Sequence, residues 1–121
     1  MKPTGRRTPA QVSGGAAEEA AARHLARNGV QIVARNYRTR LGEIDLVARE
    51  GATLLFVEVR LRRSARYGGA AASIDGRKRR RIESAARHFL ARLPCEPACR
   101  FDVVTLDGDN IEWLRGAFEA A

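Results

Sequence analysis

Apolar residues in this chain recur with two different periods, and each change of period marks an element. From Gly15 to Asn28 the sequence is rich in alanine and carries Leu25, with Gly29 following as a left-handed terminator, which predicts a first helix. Gln31 to Tyr37, 41 to 49 and 53 to 62 read as three strands, the last two separated by a Glu50 and Gly51 turn signal. Ile74, Ile82, Ala85, Ala86, Phe89, Leu90 and Leu93 return at helical spacing. They predict a long second helix from Ile74 to Leu93, with Ser73 as N-cap and Pro94 as stop. Cys99 to Leu106 reads as a fourth strand, and Asn110 to Leu114 as a short fifth after the Asp107 and Gly108 turn. A helix, an antiparallel meander, a crossover helix and a returning strand make an α/β fold, a mixed sheet of four to five strands flanked by helices.

With 121 residues and 45% hydrophobic content the chain supports one hydrophobic core, hence a single domain over residues 15–121. Met1 to Gly14 mixes Lys2, Arg6 and Arg7 with Pro3 and Pro9 and has no apolar period, so it is expected to be a disordered basic arm. Lys and Arg number 22 against 14 Asp and Glu, a formal charge of +8 that favours a polyanionic partner, nucleic acid or an anionic membrane surface. No stretch approaches the ~20 apolar residues needed to span a bilayer, and the N-terminus lacks the apolar run of a secretion signal. A soluble, cytoplasmic protein is the expectation. Cys95 and Cys99 have no second cysteine pair, and His24 and His88 are too far apart to complete a zinc site, so free thiols are expected.

The candidate chemistry lies on the second and third strands. In TLLFVEVRL, alternation puts Leu55, Val57, Val59 and Leu61 on a core face, and Leu54, Phe56, Glu58 and Arg60 on the other. Two consecutive charges on one face of an otherwise apolar strand are costly to bury without partners. Asp45 in GEIDLVA is one such partner if it opposes residue 56 or 58 across the hairpin. A two-residue turn at Glu50 and Gly51 pairs it with 56, a four-residue turn with 58, and odd turns send it to the opposite face. Two converging carboxylates repel unless a proton or cation intervenes, and oxygen-only ligation suits Mg²⁺ or Mn²⁺. The plain structural reading is a salt bridge from Asp45 to Arg60 or Arg62 at the core's border. On the first helix Glu19 has Arg23 four residues on, whereas Glu18 shares a face with Ala22 and Leu25 and is the less easily explained acid.

The segments GEIDLVA, FVEVR, RRSARYGGAAASID and RFDVV resemble the YraN-like group of bacterial proteins over roughly residues 15 to 118. That group resembles Holliday-junction resolvases and restriction enzymes with the PD(D/E)XK core. The resemblance implies a restriction-endonuclease-like fold, with Asp45 as the motif's aspartate, Glu58 as its second acid and Glu18 as the helix acid completing a Mg²⁺ or Mn²⁺ shell. Arg60 stands where the motif has lysine. Arginine cannot be deprotonated in a protein, so Arg60 is no general base, though it can stabilise charge building on a phosphate. Lys78 matches a lysine of the group and is expected to supply the ammonium from the second helix, an expectation that requires its side chain to reach Asp45 and Glu58. Ala17 precedes Glu18 where the group usually has glycine, a minor departure. Asp102 and Trp113 also match, and are read as structural.

Phosphate contacts are expected from Arg62, Arg63 and Arg66 after the third strand, and from Arg77, Lys78, Arg80 and Arg81 on the second helix. The run from Arg77 to Arg81 winds more than once round the helix and cannot form a single stripe. Glu83 offsets only part of its charge through Arg79 and Arg87. No recognition-helix, zinc-finger or aromatic RNA-binding motif is evident, so binding should be salt-sensitive and indifferent to base sequence. Three functions follow: a metal-dependent endonuclease or resolvase-like phosphodiester hydrolase acting on DNA, an inactive nucleic-acid-binding module with the same fold, and a protein adaptor. The resemblance to resolvases also brings a homodimer into view.

Overall fold

The computed structural model describes the backbone of residues 9–61 and 74–120 and the side chains of residues 15–61 and 74–120. Its elements run α1 (Pro9–Arg27), β1 (Gln31–Arg38), β2 (Glu43–Glu50), β3 (Thr53–Leu61), α2 (Gly76–Leu90), β4 (Cys99–Asp107) and β5 (Asn110–Phe118). The strands form one sheet in the order β1-β2-β3-β4-β5, in which β3 and β4 are parallel and every other neighbour is antiparallel. This is the expected mixed α/β sheet, consistent with a restriction-endonuclease-like core.

Helix α1 starts at Pro9, earlier than the expected Gly15, because proline's fixed φ suits the first helical position and nothing from Ala10 to Ser13 breaks the helix. The expected disordered arm therefore gives way to helical backbone over residues 9–14, while residues 1–8 lie outside the described residues. Its C-terminus closes as predicted: Gly29 takes φ +84°, Gly29 N donates to Ala26 O (3.1 Å) and Val30 N to Leu25 O (3.0 Å), the two bonds of a Schellman cap. Helix α2 begins later than the expected Ile74. Its N-cap is Asp75, whose carboxylate accepts from Lys78 N at 2.9 Å, and the expected cap Ser73 lies outside the described residues. Ile74 is instead a buried core residue just before the cap.

Both faces of the sheet are covered. Ala17, Ala21, Ala22 and Leu25 of α1 pack on Leu46, Leu55, Val57 and Val104. Ile82, Ala85 and Ala86 of α2 pack on Val47, Phe56, Phe101 and Val103 of the opposite face. Each of the large side chains fully buried here, Leu25 and Phe56 among them, contributes roughly 1.5–3 kcal/mol of transfer free energy. Strand β3 is thus apolar on both sides until it reaches Glu58, and Leu61, expected in the core, is exposed.

Three local features shape the sheet. The β2–β3 turn is Gly51–Ala52, with Gly51 at φ +60°, because Glu50 still pairs with Thr53; Glu50 belongs to the strand rather than to the turn. Strand β5 continues past the expected Leu114 to Phe118, since Gly116 is a bulge at φ +59° rather than a stop. Its N–H donates to Asp102 Oδ1 at 2.9 Å. Asp102 is wholly buried and also accepts from Arg100 (Nε 2.8 Å, Nη2 2.9 Å) and Trp113 Nε1 (2.9 Å), the structural role expected for it. At the β1–β2 tip a Cβ on Gly42 would stand 1.8 Å from the Arg81 carbonyl oxygen, so only glycine lets the hairpin lie on α2.

Candidate active site

The Gly51–Ala52 turn sets the register that creates the site. Leu46 pairs with Val57, and one step further along the same register Asp45 stands across from Glu58. The ladder ends there. In its place Asp45 Oδ2 accepts a hydrogen bond from Val59 N at 2.8 Å, so a carboxylate does the work of a strand carbonyl while β2 and β3 part. The parting opens a cleft of about 390 Å³ lined in part by Ala17, Glu18, Asp45, Glu58, Arg60 and Leu61.

Glu18 reaches the cleft because Ala17 and Ala21 bring α1 close against the sheet. Burial pushes its carboxyl above the usual range and the Asp45 charge adds to that, while the Asn36 amide and Arg38 draw it back. Glu58 is 5% exposed. Burial, and then the Asp45 charge, push its carboxyl up to about 8, against the pull of Lys78 and Arg60. Lys78 Nζ lies 3.5 Å and Arg60 Nε 3.4 Å from Glu58 Oε2. The Arg60 contact has ion-pair distance without hydrogen-bond geometry, and Arg60 Nε and Glu58 Oε1 are both buried without a hydrogen-bond partner.

These observations bear on a metal in two directions. Three oxygen donors and an orphaned buried carboxylate oxygen suit a hard divalent ion. Yet among the described residues no three His, Cys, Asp or Glu side chains are spaced to surround an ion as they stand. Lys78 and Arg60 stand against Glu58 on one side and Asp45 on another. The donor chemistry fits Mg²⁺ or Mn²⁺; the spacing of the three acids as they stand does not.

The structure therefore brings together Glu18, Asp45, Glu58, Arg60 and Lys78, residues from α1, β2, β3 and α2. The salt bridge from Asp45 to Arg60 is not formed, because Asp45 is held by backbone and Arg60 by Glu58. Arg77, Arg80 and Arg81 are exposed on the first turns of α2, while Lys78 turns inward to Glu58 and Arg79 lies over the Phe118 ring, 5.3 Å from its centroid. Arg62, Arg63 and Arg66 lie outside the described residues. Cys95 and Cys99 are free and exposed. Glu19 makes its surface pair with Arg23 (3.0 Å) and adds Arg35 (2.8 Å).

Asn36 is the residue the sequence pattern passes over. It sits between Arg35, paired with Leu46, and Tyr37, paired with Ile44, which sets it across β1 and β2 from Asp45. Its φ is +50°, the one positive φ at a non-glycine among the described residues, and its amide interacts with Glu18. An asparagine inside an apolar strand pattern, tolerant of left-handed backbone, was the available signal.

Fold and site together define an α/β protein with a five-stranded mixed sheet and a cluster of acids where two of its strands separate. A family model described as "Uncharacterised protein family UPF0102" matches residues 17–106, and the chain belongs to that family. It is 53% identical to a UPF0102 protein of Paracidovorax citrulli (strain AAC00-1), covering 95% of this chain and 88% of that one. It is 57% identical to one of Ralstonia nicotianae, covering 90% and 88%. Against one of Cupriavidus taiwanensis identity is 55%, covering 91% and 85%. Among the described residues no helix is long and apolar enough to cross a membrane.

Proposed function

We propose that this protein is a cytoplasmic, metal-dependent phosphodiester hydrolase acting on nucleic acid, with DNA as the substrate to test first. The observation that carries the reading is the convergence of Glu18, Asp45 and Glu58 in one cleft where β2 and β3 part, with a lysine from α2 against the buried acid. Bound Mg²⁺ or Mn²⁺ would lower the pKa of a coordinated water and neutralise charge on the phosphate. Asp45, held at fixed orientation by Val59 N, would hold the ion together with Glu58 and Glu18. Lys78 takes the place of the motif lysine: released from Glu58, its ammonium orients the attacking water or stabilises the leaving oxygen. Arg60, permanently charged, contacts the scissile phosphate. Exposed Arg77, Arg80 and Arg81 supply salt-sensitive phosphate contacts beside the cleft.

A second reading is favoured by one observation, that Lys78 and Arg60 already stand against Glu58 Oε2: a binding module with the nuclease fold and no hydrolysis. Incubating the protein with branched and continuous duplex DNA in Mg²⁺ or Mn²⁺ separates the two. Cleavage lost in Asp45→Ala and reduced at least a hundredfold in Lys78→Met supports the hydrolase. Salt-sensitive binding with no cleavage by the wild type, in either metal, assigns the module.

A further inference from the structure

A second cleft, of about 640 Å³, lies between the β1–β2 hairpin tip and α2, lined by Thr39, Arg40, Leu41, Ser84 and His88. We infer that it receives an unpaired nucleobase of the nucleic acid whose phosphates cross α2. This rests on the nucleic-acid part of the function proposed above and adds a substrate class to it: strands with a base free of its partner, at a fork, flap or gap.

The hairpin tip is a rigid wall. Thr39 N donates to Gly42 O at 2.8 Å, Thr39 Oγ1 accepts from Leu41 N (3.2 Å) and Gly42 N (3.1 Å), and Gly42 rests on the Arg81 carbonyl. What the braced tip carries is Leu41, 70% exposed, with an arginine at its side. A leucine on a braced tip next to a cation is an apolar surface against which a base can stack once it has left its duplex.

The opposite wall is chemically matched to the same ligand. Ser84 and His88 are four residues apart on α2, and Arg77 and Arg81 stand seven and three residues before Ser84 on the same stripe. His88 shares a hydrogen bond with Tyr37 through Nδ1, which fixes the imidazole, and Tyr37 is itself braced edge-on against Phe89 at 5.2 Å. A fixed ring and a leucine bracket a base; the Ser84 hydroxyl reaches a base edge; Arg40, Arg77 and Arg81 meet the phosphates on either side. Lys78, on the acids, and Ser84 are separated along α2 by about 9 Å of helix rise. Six residues also rotate the helix by about 120° net, so the cleft and the acids lie on neighbouring faces of α2. An apolar slot with Arg40 in its wall, and Arg77 and Arg81 on the same stripe of α2, selects a ligand that is flat, apolar in its faces and anionic in its backbone.

The test uses fluorescence anisotropy in EDTA, so that it does not depend on hydrolysis. A labelled forked DNA and a continuous duplex of the same sequence are compared with the wild type, Leu41→Asp, His88→Ala and Leu41→Phe. The fork should bind roughly tenfold tighter than the duplex, toward the lower end of what one stacked base contributes. Leu41→Asp and His88→Ala should bring that ratio close to one while circular dichroism stays unchanged, and Leu41→Phe should keep it or raise it. Equal affinity for fork and duplex in the wild type, or a ratio that survives Leu41→Asp, overturns this inference and leaves the hydrolase reading standing. Absence of binding to either DNA at low salt overturns both. A dimer in sedimentation that Leu41→Asp dissociates assigns the cleft to a second copy of the chain and overturns the nucleobase.

Discussion

Glu58→Gln should stabilise the protein at neutral pH, because the acid is buried beside another acid and the amide is not charged. In the unfolded chain this carboxyl titrates near 4.5, and in the folded protein near 8. Below pH 4.5 it is protonated in both states and costs nothing. Between 4.5 and 8 the unfolded chain releases a proton that the folded protein retains, so wild-type stability falls as pH rises, and above 8 the loss is complete. At about 1.4 kcal/mol per pH unit, the penalty built up by pH 7 is about 3 kcal/mol. The glutamine variant lacks this slope, and Lys78 and Arg60, each about one-third exposed, can turn to water once the acid is gone. Urea unfolding of both proteins from pH 4 to 9 reads the difference directly. The curves should meet near pH 4 and separate steadily, with the variant ahead by about 1–3 kcal/mol at pH 7. Added Mn²⁺ should narrow the gap by stabilising only the wild type. Parallel curves, or a wild type more stable than the variant at pH 7, would mean that the two cations hold Glu58 ionised as an ordinary structural pair.

Asn36→Gly and Asn36→Ala separate backbone from side chain at a residue with φ +50°. Glycine should raise stability by a few tenths to about 1 kcal/mol and alanine lower it by about 1, while both weaken Mn²⁺ binding about tenfold in calorimetry by freeing Glu18. Unchanged Mn²⁺ affinity in the glycine variant would reduce Asn36 to a backbone role. Asp102→Ala should cost about 3–5 kcal/mol in thermal or urea unfolding, since it strands Trp113 Nε1 and the Gly116 N–H and leaves Arg100 only its contact with Glu50. A loss under 1 kcal/mol would show that water replaces the carboxylate there.

Sequence alone determined the elements whose cause is local. Alanine and leucine spacing with Gly29 specified α1 and its cap, alternation and turn residues specified the strands, and the order of helix, meander, helix and strand pair led to a mixed sheet. It also named Glu18, Asp45, Glu58, Arg60 and Lys78, because charges in apolar patterns are conspicuous and the motif spacing resembles a known family. Only the tertiary structure decided their relation. Whether Asp45 meets Glu58 depended on one residue of turn placement, Gly51–Ala52 against Glu50–Gly51, and a shift of that size is invisible to periodicity yet moves the pairing partner from Glu58 to Phe56. The backbone hydrogen bond from Val59, the inward turn of Lys78, the left-handed Asn36 and the seat of Gly42 on α2 all join residues far apart in the chain. Periodicity reports which side of its own element a residue occupies. Which element arrives opposite is settled by packing two helices on two faces of one sheet.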